Sequence, residues 1–210
     1  MGHAGMAAAA VRYLRTADAP PLTAHPRPEL RCVGEDERAP VPQAEFRRVL
    51  GNFATGVVVV TAPAINDDRD TTAPAPAPSP TPAGFACQSF SSLSLDPPLV
   101  AFMVGRTSTT WPRIARAGVF CVNVLSAGQG ELCRAFAVSG ADKFAGVTYD
   151  AAPVSGSPRL AGTLAWIDCT IHAVHTGGDH LIVVGRVDAL GTTDDEADTA
   201  PLLFHNGRFL

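Results

Sequence analysis

The fold of this chain is decided by residues 84–100, which read GFACQSFSSLSLDPPLV. The stretch begins as a strand, carries four serines within six residues, and turns at the Asp-Pro-Pro of 96–98 into a second apolar strand. Serine hydroxyls compete for backbone partners, so such a cluster is unusual inside a strand. Because successive side chains point to opposite faces, we expect one face to meet a polar ligand while Phe90, Leu93 and Leu95 pack inward. The alternative is a serine-rich edge strand whose hydroxyls face water.

Length and composition indicate one soluble globular domain. The chain has 210 residues, of which 46% are hydrophobic and 17% charged, values typical of a protein with a sizeable core. A net charge of -4 provides no basic surface for nucleic acid, and no apolar run is long enough to span a membrane. The five cysteines are odd in number and scattered, which favours buried free thiols and hence the cytoplasm over disulfides or a zinc site.

Two segments differ in composition from the rest of the chain. Residues 1–41 lack apolar periodicity and are expected to form a flexible N-terminal extension, so the folded domain spans 42–210. Residues 63–83 are rich in alanine and proline, which favours a mobile insertion between two strands that still pair.

Apolar patterns predict short helices among many strands. A helix beginning near Pro42 is indicated by apolar residues at i, i+3, i+4 and i+7, namely Phe46, Val49, Leu50 and Phe53. Further short helices are expected after 107–110, where Pro112 fits a first turn, and at 128–136. Continuous or alternating apolar runs predict strands at 57–60, 99–104, 120–125, 166–174 and 181–190. Asn206-Gly207 predicts a hairpin, and the whole favours a mainly β barrel or sandwich with short peripheral helices.

Three other motifs give weaker indications of function: a dinucleotide fingerprint, a metal site and an acid–base pair. Residues 128–130, Gly-Gln-Gly, open a helix after a strand, but Cys133 stands where a dinucleotide fingerprint needs Gly or Ala. His172 and His175 point to opposite faces of a strand, which argues against a metal site. Acid–base catalysis with a histidine stays open for two carboxylates, Asp168 and Asp179.

Five ordered blocks carry a family resemblance from about Phe46 to the C-terminus. They are 84–100, FATGVVVVT at 53–61, FCVNVL at 120–125, GDH at 178–180 with GRV at 185–187, and PLLFHNG at 201–207. Together they resemble the flavin reductase-like family, the small reductase components of two-component flavin-dependent monooxygenases. The resemblance implies an FMN-binding split β-barrel and a homodimer.

Two groups of candidate flavin residues follow. A flavin phosphate needs N–H and hydroxyl donors with added positive charge, which predicts a site from Ser91, Ser92, Arg106, Ser108 and Thr109. Helix capping is the alternative role for the last two. The resemblance places further residues around the ring and its distal end, namely Thr55, Val57, Gln88, Ser89, Lys143, Phe144, Phe204 and His205. Phe204 and His205 would complete the site, and the other subunit of the dimer is one source of these two residues. The family commonly has Asn-Ser where this chain has Gln88-Ser89, and a surface loop is the alternative for Lys143-Phe144.

The resemblance implies an enzyme in which NAD(P)H, beside His180, reduces a bound flavin. The cofactor carries the chemistry while the protein supplies alignment, so no catalytic acid or base is required. Reduced FMN or FAD would then serve a separate oxygenase. Two alternatives remain, which are a flavin-holding or electron-transfer module and an oxidoreductase that retains its flavin and acts on an organic substrate.

Overall fold

The computed structural model describes residues 40–65, 80–140, 142–192 and 200–210. The expected N-terminal extension, 1–41, lies outside this part apart from its last two residues. Most of the expected insertion, 63–83, also lies outside it, although Ala83 is buried and begins a strand.

A seven-stranded antiparallel sheet forms the body of the molecule, in the order β3-β2-β6-β9-β10-β5-β4. Its strands are β2 Val58–Ala62, β3 Ala83–Cys87, β4 Ser91–Leu95, β5 Pro98–Gly105, β6 Val119–Val124, β9 Ala165–Gly177 and β10 His180–Thr192. A three-stranded sheet joins β1 Thr55–Gly56, β11 Leu203–His205 and β12 Arg208–Phe209, and a small hairpin pairs β7 Tyr149–Ala151 with β8 Pro158–Leu160. The predicted mainly β class is confirmed.

Strand β2 lies at the centre of the core, as its β-branched run predicts. All five of its residues are buried, because its side chains alternate between two apolar clusters. Val58 and Val60 pack into a cluster with Phe102, whereas Val59 packs into a second cluster with Phe136. A strand covered on both faces can be apolar throughout.

The described residues form three short α-helices. They are α1 Gln43–Leu50, α2 Trp111–Ala117 and α3 Gly130–Ala137, the last preceded by a 3-10 turn at Ala127–Gln129. Of these, α2 and α3 pack against strands of the large sheet. Helix α1 begins just after Pro42, as predicted, but its apolar face is uncovered in the single chain, with Phe46 57% and Leu50 53% exposed. None of the described helices is long and apolar enough to cross a membrane.

The expectation that Leu93 and Leu95 pack inward is wrong for the single chain. Strand β4 is the last strand of the seven-stranded sheet, and Leu95 is 94% exposed. An edge strand lacks a second neighbouring strand, and the side chains of its serines also face outward. The edge-strand alternative for the serine cluster therefore describes β4 correctly.

A buried polar contact ties the small hairpin to the large sheet. Asn123, fully buried on β6, donates from Nδ2 to the carbonyl oxygens of Val59 at 3.2 Å and Pro158 at 3.3 Å. Its Oδ1 accepts a hydrogen bond from the Leu160 N–H at 2.8 Å. Both polar atoms of the amide thereby have hydrogen-bond partners inside the core.

Turn and cysteine predictions also hold in the described residues. Asn206 and Gly207 have φ values of 48° and 79°, which suits the two-residue hairpin between β11 and β12. The four described cysteines are free and buried, namely Cys87, Cys121, Cys133 and Cys169. Cys32 lies outside the described residues.

Candidate functional site

A cavity of about 680 Å³ opens where the chain leaves β3 and β5. Register brings its parts together, since β10 pairs with β5 and places His180 opposite Gly105. Its wall is built from β3 and the two residues after it, the end of β5, the 107–110 loop, α3, and the β11–β12 hairpin. Its lining includes Val57, Cys87, Gln88, Ser89, Met103, Thr107, Ser108, Thr109, Thr110, Cys133, Phe136, Lys143, His180, Phe204 and Phe209.

Hydroxyl groups line one part of this cavity, at the loop between β5 and α2. The Ser108 Oγ accepts a hydrogen bond from the Trp111 N–H at 3.2 Å, so this hydroxyl caps the start of α2. Because the oxygen acts there as an acceptor, its own proton is free to be donated to a ligand oxygen. Capping and ligand binding are therefore compatible at Ser108, and Thr109 lines the cavity beside it.

Lys143 supplies positive charge to the same cavity. Its Nζ donates to the carbonyl oxygens of Gly84 at 3.1 Å and Phe136 at 3.0 Å. Burial, followed by the nearby charge of Arg113, lowers the pKa of Lys143. The Phe144 ring packs edge-on against Phe136, with ring centroids 5.1 Å apart. Because both of these partners are neutral carbonyl groups, they do not cancel the positive charge of Lys143, which still attracts an anion.

Ser89 has a structural role that the sequence did not reveal. Its Oγ accepts from the Met103 N–H at 2.9 Å and donates to the Met103 carbonyl at 3.0 Å. This exchange fixes the segment after β3 to β5, and Gln88 is exposed next to it. Cys87 lies 3.3 Å from the Ser89 hydroxyl, and burial raises the pKa of that thiol. A raised pKa disfavours the nucleophilic thiolate, so Cys87 lines the cavity and does not act as a nucleophile.

His180 stands at the edge of the cavity, at the start of β10. Its Nδ1 lies 2.7 Å from Oδ1 of Asp179, and half of its side chain is exposed. This hydrogen bond, with the charge of His180, lowers the pKa of Asp179. An ionised Asp179 therefore orients the ring of His180.

A second groove of about 530 Å³ adjoins the first and is lined by the apolar face of α1. Gln88, Ser89 and Phe204 line both spaces, so the two are continuous. Thr55 also lines the groove, and its Oγ1 is buried without a partner among the described residues. A buried hydroxyl without a partner is costly, which favours a role in binding a polar group of a ligand.

Comparison with known proteins identifies the family. The profile of the flavin reductase-like domain matches residues 50–210. The reductase subunit HsaB of a flavin-dependent monooxygenase from Rhodococcus jostii is 46% identical over 164 residues, covering 78% of this chain and 75% of that protein. An NADH-dependent FAD reductase from Streptomyces globisporus is 36% identical over 174 residues, covering 81% of this chain and 86% of that protein.

The chain belongs to the flavin reductase-like family. Solved structures agree with this assignment. Nitrilotriacetate monooxygenase component B from Mycobacterium thermoresistibile is 42% identical with a TM-score of 0.70, covering 80% of this chain and 85% of that one. The NADH:FAD oxidoreductase SgcE6 of Streptomyces globisporus, in complex with NAD and FAD fragments, is 34% identical with a TM-score of 0.69, covering 86% and 95%. These relatives are flavin reductases of the split-barrel type, which confirms the predicted fold class.

In this flavin reductase-like chain, most predicted site residues come together. The first cavity or the adjoining groove is lined by Thr55, Val57, Gln88, Ser89, Ser108, Thr109, Lys143, His180 and Phe204. Phe144 lines a neighbouring cavity that shares Lys143 with the first. Four predicted residues line none of these three spaces in the single chain, namely Ser91, Ser92, Arg106 and His205. The Ser91 hydroxyl instead donates to the Ser92 carbonyl at 2.9 Å. Their roles stay predictions.

Sequence reasoning missed several lining residues of this flavin reductase-like chain. Phe209 lies opposite Phe204 across the β11–β12 hairpin, with ring centroids 5.4 Å apart. The Asn206-Gly207 turn fixes that register, so Phe209 could have been predicted from the sequence as the residue opposite Phe204. Thr107 and Thr110 belong to the same hydroxyl run as the two predicted members. Cys133 lies on α3, whose approach to the cavity is a long-range packing contact without a local signal.

The acid–base alternative loses one of its candidates. Asp168 is fully buried, and its Oδ2 accepts hydrogen bonds from the Val154 N–H at 2.9 Å and the Ser155 N–H at 3.1 Å. A carboxylate enclosed in this way does not reach a substrate. Asp168 therefore holds the loop between β7 and β8, while Asp179 remains at the cavity edge through His180.

The residues present fit a flavin. The isoalloxazine ring needs an apolar wall and hydrogen-bonding partners, which Val57, Phe204 and Gln88 provide. A phosphate needs hydroxyl donors and positive charge, which Ser108 and Lys143 provide.

Proposed function

We propose that this chain is an NAD(P)H:flavin oxidoreductase that supplies reduced FMN or FAD to a separate oxygenase. The observation that carries the proposal is the cavity of about 680 Å³, which joins a hydroxyl-lined part with Lys143 to an apolar part with Phe204, and has His180 at its edge. One space thus offers phosphate donors, a ring wall and a polar group for a second substrate. Reductase subunits among the relatives support the same activity.

The protein's contribution is binding and orientation. Lys143 and Ser108 hold the phosphate end, while Val57 and Phe204 cover the ring. His180, whose ring is fixed by Asp179, would orient the nicotinamide. A bound flavin supplies the group that accepts a hydride. Holding two reactants in contact accounts for much of such a rate enhancement.

A separate oxygenase is the partner supported by the relatives' names, which describe reductase subunits and components of monooxygenases. The four buried free thiols among the described residues support a reducing compartment, and we place the protein in the cytoplasm.

The proposed assembly is a homodimer. Apolar side chains on α1, just after it and on the edge strand β4 are exposed in the single chain, with Phe46 57%, Phe53 76% and Leu95 94% exposed. Water-exposed apolar side chains in such number favour an interface, and the first cavity adjoins the α1 groove. Sedimentation equilibrium over a range of concentrations tests the dimer. A monomer at all concentrations would contradict it.

A steady-state assay tests the activity. Purified protein is mixed with free FMN or FAD and with NADH or NADPH, and nucleotide oxidation is followed in all four pairings. We expect turnover with added flavin. Nucleotide consumption without added flavin by a yellow protein would favour the oxidoreductase with retained flavin, and flavin binding without nucleotide consumption would favour the flavin-holding module.

A further inference from the structure

A third cavity, of about 350 Å³, continues the first one beyond its hydroxyl-lined part. Four residues line both spaces, namely Gly84, Thr109, Thr110 and Lys143. The third cavity adds Thr81, Pro82, Arg113 and Asp142 to these. A ligand that fills the first cavity and extends past Thr109 therefore enters the third one.

Two cationic side chains line this third cavity, and neither has a carboxylate partner in the described part of the chain. Arg113 and Lys143 both line it, and neither takes part in an ion pair with a described residue. The Nη2 group of Arg113 donates to the carbonyl of Pro82 at 3.1 Å and to the Oγ1 of Thr81 at 3.2 Å. Its Nε and Nη1 groups have no partner among the described residues. Half of the guanidinium fork is thus available to a ligand.

The two cations also repel each other, and the charge of Arg113 contributes to the lowered pKa of Lys143. An anion between them would relieve this repulsion. Asp142 lines the same cavity, and its Oδ1 accepts a hydrogen bond from the Phe144 N–H at 3.2 Å rather than from either cation. The cavity therefore carries two positive charges against one exposed carboxylate, and an arginine fork is well suited to a phosphate.

We propose that Arg113 binds a second phosphate of a dinucleotide substrate, beyond the flavin phosphate at Ser108 and Thr109, with Lys143 lying between the two phosphates because it lines both spaces. The inference rests on the proposed function and names a subsite for its substrate. The second phosphate comes either from the diphosphate of FAD or from the additional phosphate that distinguishes NADPH from NADH. The shared chemistry is a phosphate ester that reaches beyond the hydroxyl-lined part of the first cavity.

The test is the variant Arg113→Gln, with dissociation constants for riboflavin, FMN and FAD measured by quenching of flavin fluorescence. The KM values for NADH and NADPH are measured in parallel. If FAD supplies the phosphate, its dissociation constant rises roughly tenfold or more while those of FMN and riboflavin do not change. If NADPH supplies it, the KM for NADPH rises by a similar factor and that for NADH does not. Either selective loss supports the second-phosphate site and identifies its source.

Arg116→Gln is the matched control, because Arg116 lies on the same helix and lines none of the three spaces. Arg113→Lys keeps the charge and removes the fork, so it should show an intermediate loss. Equal weakening of FMN and FAD would assign Arg113 to the first phosphate and overturn the proposal. Equal weakening of all three flavins with a lower melting temperature, or no change at all, would leave Arg113 as an anchor for 81–82 and would also overturn it. If the unaltered protein binds no flavin, the proposed function itself fails, which the wild-type titrations reveal before any variant is compared.

Discussion

The Nδ1 of His180 lies 2.7 Å from the Oδ1 of Asp179, at the point where β10 begins opposite Gly105. The carboxylate is exposed and the imidazole half exposed, so the pair sits at the cavity edge rather than inside the core. When Nδ1 carries the proton that this bond needs, Nε2 is left as an acceptor. Two adjacent residues in one turn thus orient a ring that a nicotinamide can meet.

His180→Ala should slow flavin reduction by NAD(P)H and leave the flavin dissociation constant unchanged. Loss of orientation costs on the order of 10²-fold in rate when reacting atoms are displaced by about 1 Å. Anaerobic stopped-flow reduction and a flavin titration measure the two quantities. His172→Ala is the control, since His172 is exposed on β9 and lines none of the three spaces. Weaker flavin binding with a normal reduction rate would move His180 to the flavin site.

Ser108→Ala should weaken binding of FMN but not of riboflavin, which lacks the phosphate. A hydrogen bond to a charged group contributes about 1.5–3 kcal/mol at most, and Ser108 lines the first cavity. Ser92→Ala tests the other predicted phosphate serine, which lies on the exposed edge strand and lines none of the three spaces, so we expect a smaller effect in the single chain. Fluorescence titrations with both ligands check this. If both ligands weaken together, Ser108 only caps α2.

Asp168→Ala should destabilise the fold by about 2–5 kcal/mol, because the Val154 and Ser155 N–H groups would lose their acceptor. Asp168→Asn keeps one acceptor and should recover part of that loss. Urea unfolding measures both variants. Asp150→Ala is the control at an exposed carboxylate whose side chain is 85% accessible. Equal effects at the two positions would show that Asp168 does not hold the β7–β8 loop.

Gly185→Ala should destabilise the fold by about 1–3 kcal/mol through overpacking. A Cβ at this position would overlap Cζ of the fully buried Phe120 and lie 3.3 Å from the Cβ of Cys169. Thermal unfolding measures the change, and Gly128→Ala, where a Cβ meets nothing within 4 Å, is the matched control. Adding Phe120→Leu should recover stability in the double variant. An additive loss would exclude this contact as the cause.

Cys121 makes stability depend on alkaline pH. Burial, followed by the charge of Asp168, raises the pKa of its thiol from 9.0 to about 12. The unfolded chain therefore ionises this thiol first, so its contribution to stability is complete below pH 9.0 and is lost as pH rises towards about 12. Compared with Cys121→Ser, the unfolding free energy of the wild type should fall more steeply, by up to about 1.4 kcal/mol per pH unit. Parallel pH profiles would contradict the raised pKa.

Local patterns predicted the elements, whereas long-range packing decided what each element faces. The β-branched run from Val58 identified a strand with both faces covered, and the spacing of Phe46 and Leu50 identified α1. Neither pattern carries information about the order of the strands in the sheet. The sequence therefore did not predict that β4 lies at the edge, or that Leu95 is exposed there. The same limit applies to Arg113, which faces a cavity only because α2 packs near 81–82.

The buried amide of Asn123 has a consequence for how the chain avoids wrong structures. Its Nδ2 donates to the Val59 carbonyl on β2 and its Oδ1 accepts from the Leu160 N–H on β8, so both bonds depend on the native register of β6. A shift of β6 by one residue would turn this amide towards the opposite apolar face and leave it unsatisfied. A leucine at position 123 would carry no such penalty, so the polar side chain makes competing pairings less stable than the native one.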